Sequence, residues 1–209
     1  MDAKRSFMTN NQSATTIAKD SVKNLTTNYV NTLTDVLKQL DSEQVKSLVD
    51  TLLTMKANNG TLYLCGNGGS AANAIHLAND FTFGISPEGN ALKVEALPAN
   101  SSVLTCLGND IGYENIFAHQ LKVKANSNDI LLVLSGSGNS ENIIRATQQA
   151  LDIGMKTVGI LGFSGGKVKP MLDQVFHFEV QDMQISEDTQ VIVGHILMKA
   201  LYNALREAN

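Results

Sequence analysis

The sequence predicts an α/β chain: a three-layer sandwich with a mainly parallel five-stranded sheet, preceded by an N-terminal helical hairpin. Three observations carry this. From Thr61 onward, short apolar runs alternate with helix-forming segments, the pattern of strands joined by crossover helices. The apolar runs are near-continuous, as in parallel strands covered on both faces. Residues 18–58 carry a helical period but precede the first run, so they cannot be its crossover.

The elements follow in order. Met1–Thr16 is polar and lacks the apolar stretch of a signal peptide, so it reads as a flexible N-terminus ahead of one domain over residues 17–209. Val22, Leu25, Val30, Leu33, Leu37 and Leu40 recur at helical spacing, and Asp41-Ser42 offers an N-cap for a second helix. That helix uses Val45, Leu48, Val49, Leu52, Leu53 and Met55 and ends at Asn58-Asn59-Gly60. Leu62–Cys65 is the first strand, followed by Gly66-Asn-Gly-Gly-Ser70 and a helix over Ser70–Phe83. Leu92–Ala96 is the second strand, leading to a helical turn at Ser101–Leu107 and a short helix at Tyr113–Lys122. Ile130–Leu134 is the third, followed by Ser135-Gly-Ser-Gly-Asn-Ser140 and a crossover helix over Glu141–Ile153. Thr157–Leu161 is the fourth, ended by Gly162-Phe-Ser-Gly-Gly166; Val175–Val180 is the fifth, and a long helix over Ser186–Arg206 closes the chain.

Bulk composition narrows the function. The 209 residues are 43% hydrophobic, enough for one α/β domain with an accessory element. A net charge of −4 with scattered Lys and Arg leaves no basic footprint for nucleic acid. No apolar run approaches the roughly 20 residues of a membrane span. Cys65 and Cys106 lie in apolar surroundings and form no disulfide framework, so both are expected as buried, reduced thiols of a cytoplasmic protein.

The two glycine–serine loops read as halves of one phosphate cradle. Each follows a strand and opens a helix, placing unpaired N–H groups and small hydroxyls where the helix dipole favours an anion. The first loop fails the dinucleotide spacing, because position 71 is Ala, and no Gly-Lys-Ser/Thr follows it. Ser135, Ser137 and Ser140 supply three hydroxyls within six residues. A plain tight turn would also account for the first loop, and a solvated serine turn for the second. Such sheets bind ligands beyond the carboxyl ends of their strands, where both loops fall.

His76 and Asp80 lie four apart on the helix after the first loop and share a face. That spacing suits a divalent metal, a base oriented by its neighbour, or an ordinary surface pair. His195 sits in the apolar run Val191-Ile-Val-Gly-His-Ile-Leu197, as a functional group or a core histidine. Asp188 precedes it by seven residues on nearly the same face, with Glu187 further round. His177, between Phe176 and Phe178, reads as structural.

Taken in order, Gly66-Asn-Gly-Gly-Ser70, Ala74-Ile-His-Leu-Ala78, Leu107-Gly-Asn-Asp110, Ser135-Gly-Ser-Gly-Asn-Ser140 and the Glu187…His195 helix resemble the phosphoheptose isomerase family. These are sugar isomerase (SIS) domain proteins with a flavodoxin-like sheet, and the resemblance runs from about Asn28 to the end. It implies an aldose–ketose isomerase acting on sedoheptulose 7-phosphate through an enediol, for heptose in lipopolysaccharide or capsule. It also implies a homotetramer with active sites between subunits. By position, Asn67, Gly68, Gly69, Ser70, Asn109, Asp110 and Glu187 would contact substrate, while Ser135, Gly136, Ser137 and Ser140 would hold the phosphate. His76, Asp80, Glu187 and His195 would hold one Zn²⁺ per subunit. Asp80 and His195 would be catalytic, with Glu187 as an alternative base. The family's usual glutamate is Asp80 here, and its usual glutamine is Glu187. Two other readings are a non-catalytic phosphosugar- or replication-initiator-binding protein and an isomerase of another sugar phosphate.

Overall fold

A computed structural model describes residues 18–207; the expected flexible segment, Met1–Thr16, lies outside them. Thr61–Cys65 (β1), Lys93–Ala96 (β2), Ile130–Ser135 (β3), Lys156–Leu161 (β4) and Gln174–His177 (β5) form one sheet in the order β2-β1-β3-β4-β5. Every neighbouring pair is parallel. The strand order reverses between β1 and β3, so the crevice at a topological switch point opens beyond these two strands. Both glycine–serine loops emerge there.

Strand alternation sends successive side chains to opposite faces. Leu62, Leu64, Ile130, Leu132, Leu134 and Ile160 join one core, with Leu48, Leu52, Leu77, Phe81, Val193 and Leu197 from the helices. These helices are α1 (Lys19–Leu37), α2 (Ser42–Ala57), α3 (Gly69–Asn79) and α7 (Met183–Glu207). Tyr63, Cys65, Leu131 and Val133 face the other core, with Ile116, Phe117, Leu121, Ile143 and Ala146. That layer holds α4 (Ser101–Asp110), α5 (Ala118–Lys124) and α6 (Glu141–Ile153).

The expected hairpin is present but unevenly seated. Asp41 caps α2 by accepting from the Glu43 N–H at 2.9 Å, and Val45, Leu48, Val49, Leu52 and Met55 are buried. In α1 only Val36 is buried, and Val22, Leu25 and Val30 are exposed.

Several boundaries differ from expectation. The helix expected over Ser70–Phe83 leaves the α pattern at Asp80, where a π-helical turn over Asp80–Gly84 widens it. Such turns insert a residue and re-aim the side chains around them. The segment expected as Tyr113–Lys122 divides into a 3₁₀ turn at Tyr113–Asn115 and α5. β5 stops at His177, opposite the end of β4 at Leu161: the Phe178 N–H makes the last ladder bond to the Leu161 carbonyl, and the Val180 N–H turns back to the Phe178 carbonyl. α7 starts at Met183, with the Asp182 carboxylate accepting from the Ile185 N–H at 3.0 Å. The expected burial holds for Cys65, which is fully buried with its thiol pushed up to about 12 by burial. Cys106 is instead exposed on α4, bonded to Asp110 at 3.5 Å, and that bond raises its pKa.

Candidate active site

The first loop is held in place by its neighbours. Gly68 takes φ +56°, a conformation that glycine adopts without strain, and it starts α3 with no side-chain cap. Asn67 exchanges two 2.8 Å amide hydrogen bonds with Asn142 on α6 and accepts a third from the Tyr113 hydroxyl at 2.9 Å. Ser70 is buried, and its hydroxyl oxygen accepts from the Gln190 side-chain amide at 3.0 Å. Glu187 packs its carboxylate on Gly69: a Cβ there would lie 2.3 Å from one of its oxygens.

The second loop is bonded within itself and to the segment after β4. The Ser135 hydroxyl accepts from the Gly138 N–H at 3.0 Å, and the Ser137 hydroxyl from the Asn139 N–H at 3.3 Å. Gly138 takes φ +64°, and a Cβ there would lie 2.0 Å from the Gly165 carbonyl oxygen. Lys167 and Val168 donate backbone N–H bonds to Asn139 and Gly138. Ser140 makes no side-chain cap, so the first-turn N–H groups of α6 carry no capping side chain.

Beside the first loop, three side chains converge. His76 Nε2 lies 2.9 Å from His195 Nε2, with the rings edge to face. Asp80 Oδ2 is 3.2 Å from His195 Nε2 and 3.5 Å from His76 Nε2. Asp80 sits one helical turn after His76 at the start of the π-turn, its N–H still bonded to the His76 carbonyl. Bonds of about 2.0–2.2 Å to a tetrahedral Zn²⁺ require ligand–ligand edges near about 3.3–3.5 Å. The two edges to Asp80, 3.2 and 3.5 Å, lie near that spacing and the 2.9 Å edge between the imidazoles opens by a few tenths of an ångström to reach it, so the imidazole–carboxylate donor set suits one divalent ion with a position left over. Asp80 is mostly buried while both imidazoles are nearly half exposed, so the group is open to a ligand on the histidine side.

Other site residues fall elsewhere. Glu187, expected as a fourth ligand, is outside this group, because its carboxylate is taken up against Gly69. Asn109 and Asp110 are exposed at the end of α4 and bond to each other at 2.8 Å. Asp188 accepts a 2.6 Å bond from the Tyr29 hydroxyl, which raises that tyrosine to about 12. His177 bridges the Phe163 carbonyl and Lys169, the structural role expected of it. A cleft of about 460 Å³ between α2 and the amino ends of β3 and β4 lies at the far end of the sheet from both loops. Sequence reasoning missed Asn142, Gln190 and Tyr113. The signal for the first two was a polar amide at a position that helix period assigns to a buried face.

Comparison with known proteins gives a consistent picture. Residues 27–162 match the family model of the SIS domain. The chain is 38% identical over 162 residues to the phosphoheptose isomerase of Helicobacter pylori, covering 77% of this chain and 84% of that protein. The structure of phosphoheptose isomerase GmhA from Neisseria gonorrhoeae has a TM-score of 0.80 at 28% identity, over 88% of this chain and 97% of that one. A phosphoheptose isomerase from Francisella tularensis gives 0.83 at 25% identity, over 90% and 100%. With the motifs in order, the fold matched over most of the chain and identity at this level, the chain belongs to the phosphoheptose isomerase family of SIS-domain proteins.

Proposed function

We propose that this chain is an aldose–ketose isomerase that interconverts sedoheptulose 7-phosphate and D-glycero-D-manno-heptose 7-phosphate, supplying heptose for lipopolysaccharide or capsule. The observation that carries the reading is the convergence of His76, Asp80 and His195 beside a phosphate-type loop in a chain of this family. The phosphate sits at the uncapped start of α6, on the backbone of Gly136 and the hydroxyls of Ser135, Ser137 and Ser140. The first loop, with Asn67, Gly68, Gly69 and Ser70, bounds the sugar on the other side, and Asn109 and Asp110 reach its hydroxyls.

Asp80 is the base. Its Oδ2 faces both imidazoles, which leaves Oδ1, held only by a long 3.4 Å bond from Asn79, for proton transfer. It takes the proton from C1 of the ketose and returns it to C2. The His195 ring nitrogen that does not face His76 and Asp80, Nδ1, gives a proton to the C2 oxygen as the enediol forms and takes one from the C1 hydroxyl as the aldehyde forms, so no net proton is lost. His76, Asp80 and His195 would hold one zinc ion per subunit, which supplies polarisation of the carbonyl oxygen.

Turnover of sedoheptulose 7-phosphate by the unsubstituted chain, His195→Ala and Asp80→Asn tests the mechanism. Loss of a general acid or base costs about 10²–10⁴-fold; rates unchanged in both variants would sink it. A panel of pentose, hexose and heptose phosphates tests the substrate. The same reading places the enzyme in the cytoplasm as a homotetramer with active sites between subunits. The exposed Val22, Leu25 and Val30 on α1 support an assembly, and sedimentation tests it.

A further inference from the structure

α3 and α7 lie side by side, and the residues between them form a ladder. Ser70, Asn73 and Leu77 share one face of α3, while Glu187, Gln190 and Gly194 repeat the same spacing on α7. Gln190 is fully buried. Its side-chain nitrogen donates to the Ser70 hydroxyl at 3.0 Å, and its oxygen accepts from the Asn73 amide at 3.1 Å. The same Asn73 amide also donates to the Glu187 carbonyl at 3.0 Å. One turn on, Gly194 lies so close to Leu77 that a Cβ would come within 2.2 Å of it. His76 and His195 are the chain neighbours of that last pair, and their Nε2 atoms meet at 2.9 Å.

We infer that Gln190 is a positioning residue for the reaction, setting the register of α7 against α3 in which His76, Asp80 and His195 converge. The inference rests on the isomerase reading above. Hydrogen bonds suit this task because they are directional, whereas apolar packing alone tolerates sliding. Both polar atoms of Gln190 are used on one partner helix, so the amide fixes the rotation of α7 as well as its height. A slip of one residue moves a side chain along the axis by about 1.5 Å. Metal-ligand distances hold to within about 0.2 Å, so a fraction of that slip breaks up the donor set. No family role is needed for Gln190 in this: it touches neither the triad nor the exposed face of either loop.

Gln190→Met keeps the volume and removes both hydrogen bonds. Gln190→Met with Ser70→Ala also removes the stranded hydroxyl, because replacing both partners by apolar groups can be nearly neutral for stability. Each chain is assayed for kcat and KM with sedoheptulose 7-phosphate, for zinc affinity by chelator competition, and for thermal unfolding. The expected result is that kcat and zinc affinity both fall at least tenfold in Gln190→Met. Both stay low in the double variant, although its unfolding temperature returns towards that of the unsubstituted chain. Unchanged zinc affinity and kcat in Gln190→Met overturns the inference. So does recovery of both together with stability in the double variant, since that is the behaviour of a merely structural contact. If the unsubstituted chain binds zinc but does not turn over this sugar, the substrate reading fails and the zinc arm decides the role of Gln190. If it does neither, both readings fall.

Discussion

At the end of β1 the glycine loop is filled from inside the protein. Asn142 and Tyr113 engage Asn67, Gln190 engages Ser70, and the Glu187 carboxylate lies on Gly69 at the first turn of α3. At the end of β3 the loop is bonded to itself and to the segment after β4, and α6 begins without a side-chain cap. Both loops put a helix N-terminus at the switch point of the same sheet. A helix N-terminus attracts negative charge whatever its source. In α3 that charge is built in, which leaves the start of α6 as the natural place for a phosphate. The difference teaches that strand–glycine loop–helix is a geometry rather than a site, and the neighbours decide whether it holds a ligand or the protein's own side chain.

Substitutions can break or sharpen this contrast. The largest effect is expected at the triad: Asp80→Asn should lower kcat about 10³-fold. Glu187→Gln should lower it less than about tenfold, because a neutral amide can still pack on Gly69. The opposite ranking in steady-state kinetics would make the carboxylate on the first loop the base. Next comes Gly138→Ala in the second loop, where a side chain at φ +64° would also clash with the Gly165 carbonyl. A loss of about 2 kcal/mol or more is expected in denaturant unfolding, with substrate affinity falling alongside. Full affinity in that variant would move the phosphate away from the second loop. Ser137→Ala should raise KM about tenfold and leave kcat nearly unchanged, as for one hydrogen bond to a charged group.

The smallest effect is expected at Tyr29→Phe, which removes the bond to Asp188 beside Glu187. That bond holds Tyr29 at about 12 in the folded chain, above its ordinary value of 10.0. The folded state therefore keeps the proton that the unfolded chain releases. The contribution is complete below about pH 10 and is lost as pH rises towards about 12. Tyr29→Phe should flatten the alkaline fall in stability across that window while moving kcat less than about threefold. An unchanged alkaline slope would show that the hydroxyl adds nothing to the seating of α7.

Much of this molecule was legible in the sequence. The strand alternation, both loops, the α2 cap at Asp41 and the joint setting of His76 and Asp80 follow from periods of two and 3.6 residues and from local turn chemistry. The π-turn at Asp80 was not legible, since one added residue leaves the apolar pattern of Phe81 and Ile85 intact. Exposure of Cys106 is not legible either, because its apolar neighbours on α4 point to burial, whereas α4 has no buried residue. The place of Glu187 in the motif groups it with the histidines, and that place does not show what else its carboxylate lies against. Gly69, on another helix, offers its carboxylate a closer seat.

By itself the sequence determined the fold class, the loops at the carboxyl ends of β1 and β3, and the family, because these depend on local periods and ordered motifs. Tertiary structure decided which of two similar loops is filled, and that His195 meets His76 and Asp80 across 115 or more residues of chain. The reason is physical. Whether an N–H, a hydroxyl or a carboxylate is free depends on partners brought near by packing, and no local pattern in the chain records that distance.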